Sequence, residues 1–121
     1  MVGGLAGKPA LKKAPLRAAA GVFAALGDET RLRMVAVLCA GGAVSIAQLT
    51  AGADMTRQAV TKHLQVLADA GLVSHSKVGR ERLWAFEPDR LEEARRSLDA
   101  IARQWDQALG RLRSFVEAPE H

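Results

Sequence analysis

Thr56, Arg57, Gln58, Thr61 and Lys62 fall within one short stretch, and every one of them is a hydrogen-bond donor. In a duplex major groove Arg suits guanine and Gln suits adenine, while Thr56 at a helix N-terminus suits a phosphate. If Val60, Leu64 and Leu67 point inward on a helix, a step of about 100° per residue leaves Gln58, Thr61, Lys62 and Gln65 outward, with Arg57 at the margin. Taken alone, these residues fit a solvated polar helix face equally well. A second group follows: Lys77, Arg80 and Arg82 surround Gly79, placing cations on a turn that can reach phosphates or a minor groove. Alone this is an ordinary charged turn. Directly behind a basic helix in so short a chain, it favours a nucleic-acid surface.

Other chemistries find little support. His63, His75 and His121 are too scattered to suggest a metal site by spacing. His63 lies about 60° from the centre of the apolar stripe, which makes it a half-buried histidine satisfied by a backbone group rather than a ligand. Cys39 is the only cysteine; it can form no internal disulfide and reads as a small buried hydrophobe. No nucleophile, base and orienting group stand in a recognisable pattern, and neither a phosphate-binding glycine loop nor a paired-histidine zinc motif occurs. The expectation is a protein that is not an enzyme and holds no cofactor or metal.

The elements that must position these groups can be read from periodicity and caps. Leu16, Ala19, Phe23 and Leu26 step by three or four and stop at Gly27, giving a first helix. Asp28 stands as N-cap of a second, with Leu32, Val35, Ala36 and Cys39 as its buried stripe. Ser45 and Gln48 form a capping box that opens a short third helix with Ile46 and Leu49 inside. Gly52 ends it, Thr56 caps a fourth helix, and Gly71 closes that one. Two short helices around a glycine-containing turn, the second basic, make a helix-turn-helix. From Leu72 to Phe86 the period becomes that of a β-hairpin, a wing, in which Trp84 and Phe86 are anchors. Pro88 then starts a last helix whose Leu91, Ala94, Leu98, Ile101, Trp105, Ala108, Leu112 and Phe115 form one heptad-like seam. At roughly 40 Å it is too long for so small a domain to cover, so a partner chain is expected.

The predicted fold class is mainly α with a small β-hairpin: a winged helix-turn-helix of five helices. Residues 15–117 form the DNA-binding and dimerisation domain, 1–14 a flexible basic arm and 118–121 a tail. The 121 residues carry a formal charge of +4, which alone is weak support for a polyanionic partner. Its distribution says more. Lys8, Lys12, Lys13 and Arg17 meet no acid within the arm and first helix, whereas from Pro88 onward six arginines face seven carboxylates. No run approaches the roughly 18 apolar residues of a membrane span, and no signal-peptide block is present. A cytoplasmic protein without membrane partners is expected.

The segment Phe23-Ala-Ala-Leu-Gly-Asp-Glu-Thr-Arg-Leu-Arg-Met, the stretch from Met55 to Val73, and Val78-Gly-Arg-Glu together resemble the ArsR-type winged-helix repressors, over about residues 16–117. The resemblance implies a homodimer built from the first and last helices, bringing in Leu16 and Phe23 with Leu91, Leu98, Ile101, Trp105, Leu112 and Phe115. It also implies binding to an inverted repeat in promoter DNA and release on an unknown effector signal. Carried over by residue, Thr56, Gln58, Thr61, Lys62 and His63 would face DNA, with Arg80 at the wing tip. For His63 this opposes the half-buried reading above. The metal-sensing members carry cysteines in the helix before the recognition helix, where Ser45-Ile-Ala-Gln-Leu-Thr has none, or Asp and His ligands on the last helix, which through Val116 has no His or Cys. No metal sensing is expected at either position. Two other readings stay open: a winged-helix protein-docking module, and a nucleoid-type protein that coats DNA without sequence preference.

Overall fold

A computed structural model of the chain describes residues 13–52 and 54–117. The expected arm, up to residue 12, and the expected tail at 118–121 lie outside the described residues. Among the described residues five helices and a three-stranded antiparallel sheet build a winged helix-turn-helix.

Helix α1 (Lys13–Leu26) is rich in alanine and tolerates Pro15 because that residue sits in the first turn, where amides have no helical partner. It starts two residues before the boundary expected from sequence. Its buried residues are Ala19, Val22 and Ala25, with Leu16 and Leu26 half-buried and Phe23 38% exposed. The Asp28 carboxylate accepts from the Arg31 amide at 3.0 Å and so starts α2 (Glu29–Gly41) as expected.

The expected stripe of α2 needs correction. Met34, Val35 and Leu38 are buried, whereas Leu32, Ala36 and Cys39 are exposed. Both sets are legitimate helical stripes rotated by about one residue, and from Leu32 to Ala40 only Arg33 is polar, so periodicity cannot choose between them. Tertiary contact sets the phase: Arg31, in the first turn, reaches back to the last turn of α1, its Nε donating to the Ala25 carbonyl at 2.6 Å.

Strand β1 (Val44–Ser45) leads into α3 (Ile46–Ala51). The capping box forms: Gln48 N donates to Ser45 Oγ at 3.1 Å, and Ser45 N donates to Gln48 Oε1 at 2.9 Å. Helix α4 (Arg57–Asp69) begins at Thr56, whose Oγ1 accepts from Ala59 N at 3.1 Å, and buries Val60, Leu64 and Leu67 as expected. Strands β2 (Val73–Val78) and β3 (Glu81–Phe86) pair antiparallel from Val73↔Phe86 to Val78↔Glu81, leaving Gly79 and Arg80 as a two-residue turn. Gly79 has φ 64°, a conformation suited to such a hairpin.

The sheet order is β1-β3-β2, with Val44 opposite Trp84 and Ser45 opposite Leu83. The hairpin expected from sequence is therefore the outer part of a three-stranded sheet. Trp84 at its centre is almost wholly buried, with the His75 ring 4.6 Å away across the strands. Val22, Leu38, Val60, Leu64, Leu67 and Leu72 are buried with Trp84, so α4 and the wing root share one packed centre. Truncating one such leucine to alanine costs about 2–5 kcal/mol.

Helix α5 (Pro88–Glu117) has 30 residues, about 45 Å, against 14 residues, about 21 Å, for α1, its main neighbour. Ala94, Ser97 and Ala100 are buried and Leu91 is half-buried. Further along the same face Leu98, Ile101, Trp105, Leu112 and Phe115 are exposed, Trp105 at 64% and Phe115 at 80%. The seam thus divides into a proximal part covered by the chain itself and a distal part that α1 is too short to reach.

Candidate nucleic-acid interface

Helix α4 is oriented by its buried residues. Because Val60, Leu64 and Leu67 are locked in the core, Gln58, Thr61, Lys62 and Gln65 are exposed together on its outer side, with Arg57 exposed in the first turn. Gln58 and Lys62 hold no side-chain partner among the described residues. Thr61 Oγ1 donates to the Arg57 carbonyl at 2.8 Å, which leaves its oxygen as an outward acceptor. Gln65 is turned along the helix to Asp69, with Nε2 to Oδ1 at 2.9 Å, and is less free to read an external group.

The wing brings its cations to the same side. Arg57, Arg80 and Arg82 line one open groove of about 710 Å³, together with Ser45, Gln48 and Glu81. Sequence reasoning had assigned Ser45 and Gln48 only to the capping box; that they line this groove follows from the β1 pairing, for which two residues give no periodic signal. Lys77 stands opposite Arg82 near the end of the hairpin and is exposed.

The charges of this surface differ in their pairing from those in the first turns of α5. Among the described residues, Arg57, Lys62, Lys77, Arg80 and Arg82 have no carboxylate within 4.0 Å, whereas on α5 Arg95 binds Glu92 and Asp99, Arg96 approaches Glu92, and Arg90 approaches Glu93. The Arg95 hydrogen bond holds the Glu92 carboxyl below its ordinary range, and Glu92 in turn raises Arg95. The first turns of α5 thus pair their charges within the helix, whereas Arg103, Arg111 and Arg113 further along have no carboxylate within 4.0 Å among the described residues; a second such set of cations lies on α4 and the wing. Such a surface attracts a polyanion, and exchanging condensed counterions for arginine and lysine makes that attraction salt-dependent.

His63 sits in the second turn of α4 but not with the exposed set. Its side chain is 23% exposed, and Nδ1 lies 3.5 Å from Arg31 Nη1 and 4.0 Å from Asp28 Oδ2. The half-buried reading fits its placement; its partners are two side chains rather than a backbone group. Arg31 is part of the family-like segment from Phe23 to Met34, but a contact between residues 32 positions apart leaves no local trace in the sequence. The Arg31 amide, then the Arg31 and His63 charges, hold the Asp28 carboxyl below its ordinary value.

Among the described residues no three His, Cys, Asp or Glu side chains come together as a candidate metal site, and no helix is long and apolar enough to cross a membrane.

Residues 26–75 match the profile of a helix-turn-helix domain family. The chain is 36% identical over 77 residues to an uncharacterised HTH-type transcriptional regulator of Bacillus subtilis, covering 59% of this chain and 84% of that one. It is 34% identical over 94 residues to an HTH-type transcriptional regulator of Mycobacterium tuberculosis, covering 78% of this chain and 84% of that one. Among solved structures, an ArsR-like transcriptional regulator from Rhodococcus sp. RHA1 superposes with a TM-score of 0.76 at 35% identity, covering 86% of this chain and 97% of that one.

Proposed function

The chain belongs to the ArsR family of winged helix-turn-helix transcriptional regulators, and on that basis we propose that it is a repressor that binds an inverted-repeat operator in promoter DNA as a homodimer. It is a DNA-binding regulator and not an enzyme. In the proposed complex α4 enters the major groove, Gln58, Thr61 and Arg57 read base edges, and Thr56 and Lys62 meet the backbone. Lys77, Arg80 and Arg82 hold flanking phosphates or enter the minor groove. The observation that carries this reading is the convergence of the unpaired Arg57, Arg80 and Arg82 on one groove beside an exposed Gln and Thr helix face.

Dimerisation through α1 and α5 is supported by the exposed distal seam of α5, where a second copy would supply the cover that α1 cannot. A two-fold dimer presents two recognition helices to two half-sites, which is why an inverted repeat is the matching operator. Operator release follows an effector other than a metal held at the two positions used by the family's metal sensors. A DNA-binding regulator of this kind works in the cytoplasm.

The test is binding to the protein's own upstream promoter region and to shuffled DNA of equal length, across a salt series, with and without a chelator. A preference of about a thousandfold or more, unchanged by chelator, is the expected result. Equal binding to both would transfer the function to general DNA coating, and no binding at low salt would transfer it to protein docking.

A further inference from the structure

We propose that Asp28, Arg31 and His63 form a clasp that sets the pose of α4, and that His63 acts on operator recognition through this clasp and not by touching DNA. The proposal rests on the DNA-reading function given above. Four parts of the fold meet at these side chains. Arg31 Nε donates to the Ala25 carbonyl in the last turn of α1, and the Arg31 amide donates to Asp28 Oδ2 at the α1–α2 corner. The other end of the Arg31 guanidinium reaches His63 on α4, with Asp28 Oδ2 at 4.0 Å from the same ring nitrogen. Guanidinium groups only donate, so in the Arg31 contact His63 Nδ1 is the acceptor.

Position makes this more than local packing. His63 follows Thr61 and Lys62 directly, yet its side chain turns to the α1–α2 corner while theirs point outward. Val60, Leu64 and Leu67 hold α4 by apolar contact, which is non-directional and tolerates small rotations about the helix axis. A polar contact at the edge of that stripe is directional and fixes the rotation. Rotation matters because base-edge hydrogen bonds from Gln58 and Thr61 need side chains placed to within a fraction of an ångström, whereas phosphate attraction does not. The clasp therefore governs discrimination between sequences more than affinity for DNA as such. Asp28 holds the Arg31 backbone amide and so fixes the end of α2 from which the guanidinium reaches His63.

The experiment compares His63→Ala, Arg31→Ala, the double variant and His63→Asn with the unaltered protein. Operator and shuffled-DNA affinities are measured over a salt series, together with hydrogen exchange of the α4 backbone amides without DNA. His63→Ala and Arg31→Ala should each lower operator affinity about tenfold, with the shuffled-DNA affinity of His63→Ala and its salt slope unchanged. The double variant should lose no more than Arg31→Ala alone, because that change already removes the His63 contact along with the bond to the Ala25 carbonyl. His63→Asn keeps an acceptor near the Nδ1 position and should restore most of the preference. Both alanine variants should speed exchange in α4. An operator loss confined to His63→Ala, additive losses, or a reduced salt slope in His63→Ala would overturn the clasp and place His63 on the DNA. Unchanged α4 exchange in Arg31→Ala would overturn it independently of DNA. Faster exchange in both variants, with no promoter preference in the unaltered protein, would retain the clasp and remove the sequence-reading function.

Discussion

The side chain of Arg90, in the first turn of α5, lies directly over Gly71, so that a methyl group on Gly71 would stand 2.8 Å from Arg90 Cγ. Gly71 also has φ 79°, where only glycine is at ease, and it follows the C-cap of α4. The end of α4 and the start of α5 are thereby in contact through one aliphatic stem. Gly71→Ala should destabilise the fold by about 1–2 kcal/mol from the backbone alone. The crowding adds to this. Chemical denaturation of Gly71→Ala, Arg90→Ala and the double variant checks it: removing the Arg90 stem should relieve part of the Gly71→Ala loss, and strict additivity would mean that the side chain swings away at no cost.

Gln58 and Arg80 should separate reading from attraction. Gln58→Ala removes a free amide from the exposed face of α4 and should cost about 1–3 kcal/mol on the operator with little change on shuffled DNA. Arg80→Ala removes an unpaired charge from the two-residue turn and should weaken both DNAs, lowering the salt slope by about one. Competition binding at several salt concentrations distinguishes them. Equal losses on both DNAs for Gln58→Ala would move the reading face elsewhere on α4.

The distal face of α5 gives a test of assembly. Ile101→Glu or Trp105→Glu places a carboxylate in the centre of the exposed apolar run. If a second copy covers that run, the buried charge has no partner and the variants should sediment as monomers. Their melting behaviour should otherwise stay cooperative, because neither residue is part of the chain's own core. Dimers persisting at micromolar concentration would put the interface on another surface.

Acid should loosen the start of α2. The folded Asp28 carboxyl titrates below its ordinary value of 3.8, chiefly because it accepts from the Arg31 amide. A lowered folded value means that its contribution to stability is complete above that ordinary value and is lost as pH falls through the lower folded one. Asp28→Ala should therefore melt below the unaltered protein at neutral pH, and the gap should narrow as pH falls below the ordinary carboxyl value of 3.8. A gap constant through that fall would assign the effect to chain entropy rather than to the carboxylate.

Local chemistry made the helix-turn-helix legible. Thr56 and the Ser45–Gln48 pair are caps whose partners lie three residues away, and Val60, Leu64 and Leu67 alternate with polar residues, so phase and boundaries follow from the sequence itself. In α2 the same reasoning selected Leu32, Ala36 and Cys39 because apolar residues surround nearly the whole helix, and only contact with α1 decides which side is inward. Strand β1 is too short to show any period, and it becomes a strand because β3 offers it an edge. The outward set at Gln58, Thr61 and Lys62 was legible for the same reason as the core of α4. The Asp28, Arg31 and His63 contact was not, since it joins segments that only folding brings together.

Ser45 belongs to two elements at once: it pairs with Leu83 in the sheet and caps α3. Ser45 thus ties the root of the wing to the helix-turn-helix, and as far as that tie holds on DNA, the span from α4 to the tip at Arg80 resembles the jaws of a caliper. A duplex whose grooves do not match that span must itself twist or bend to fit, at a cost set by the stiffness of its base steps. Base pairs that no side chain touches would then contribute to which promoters are chosen.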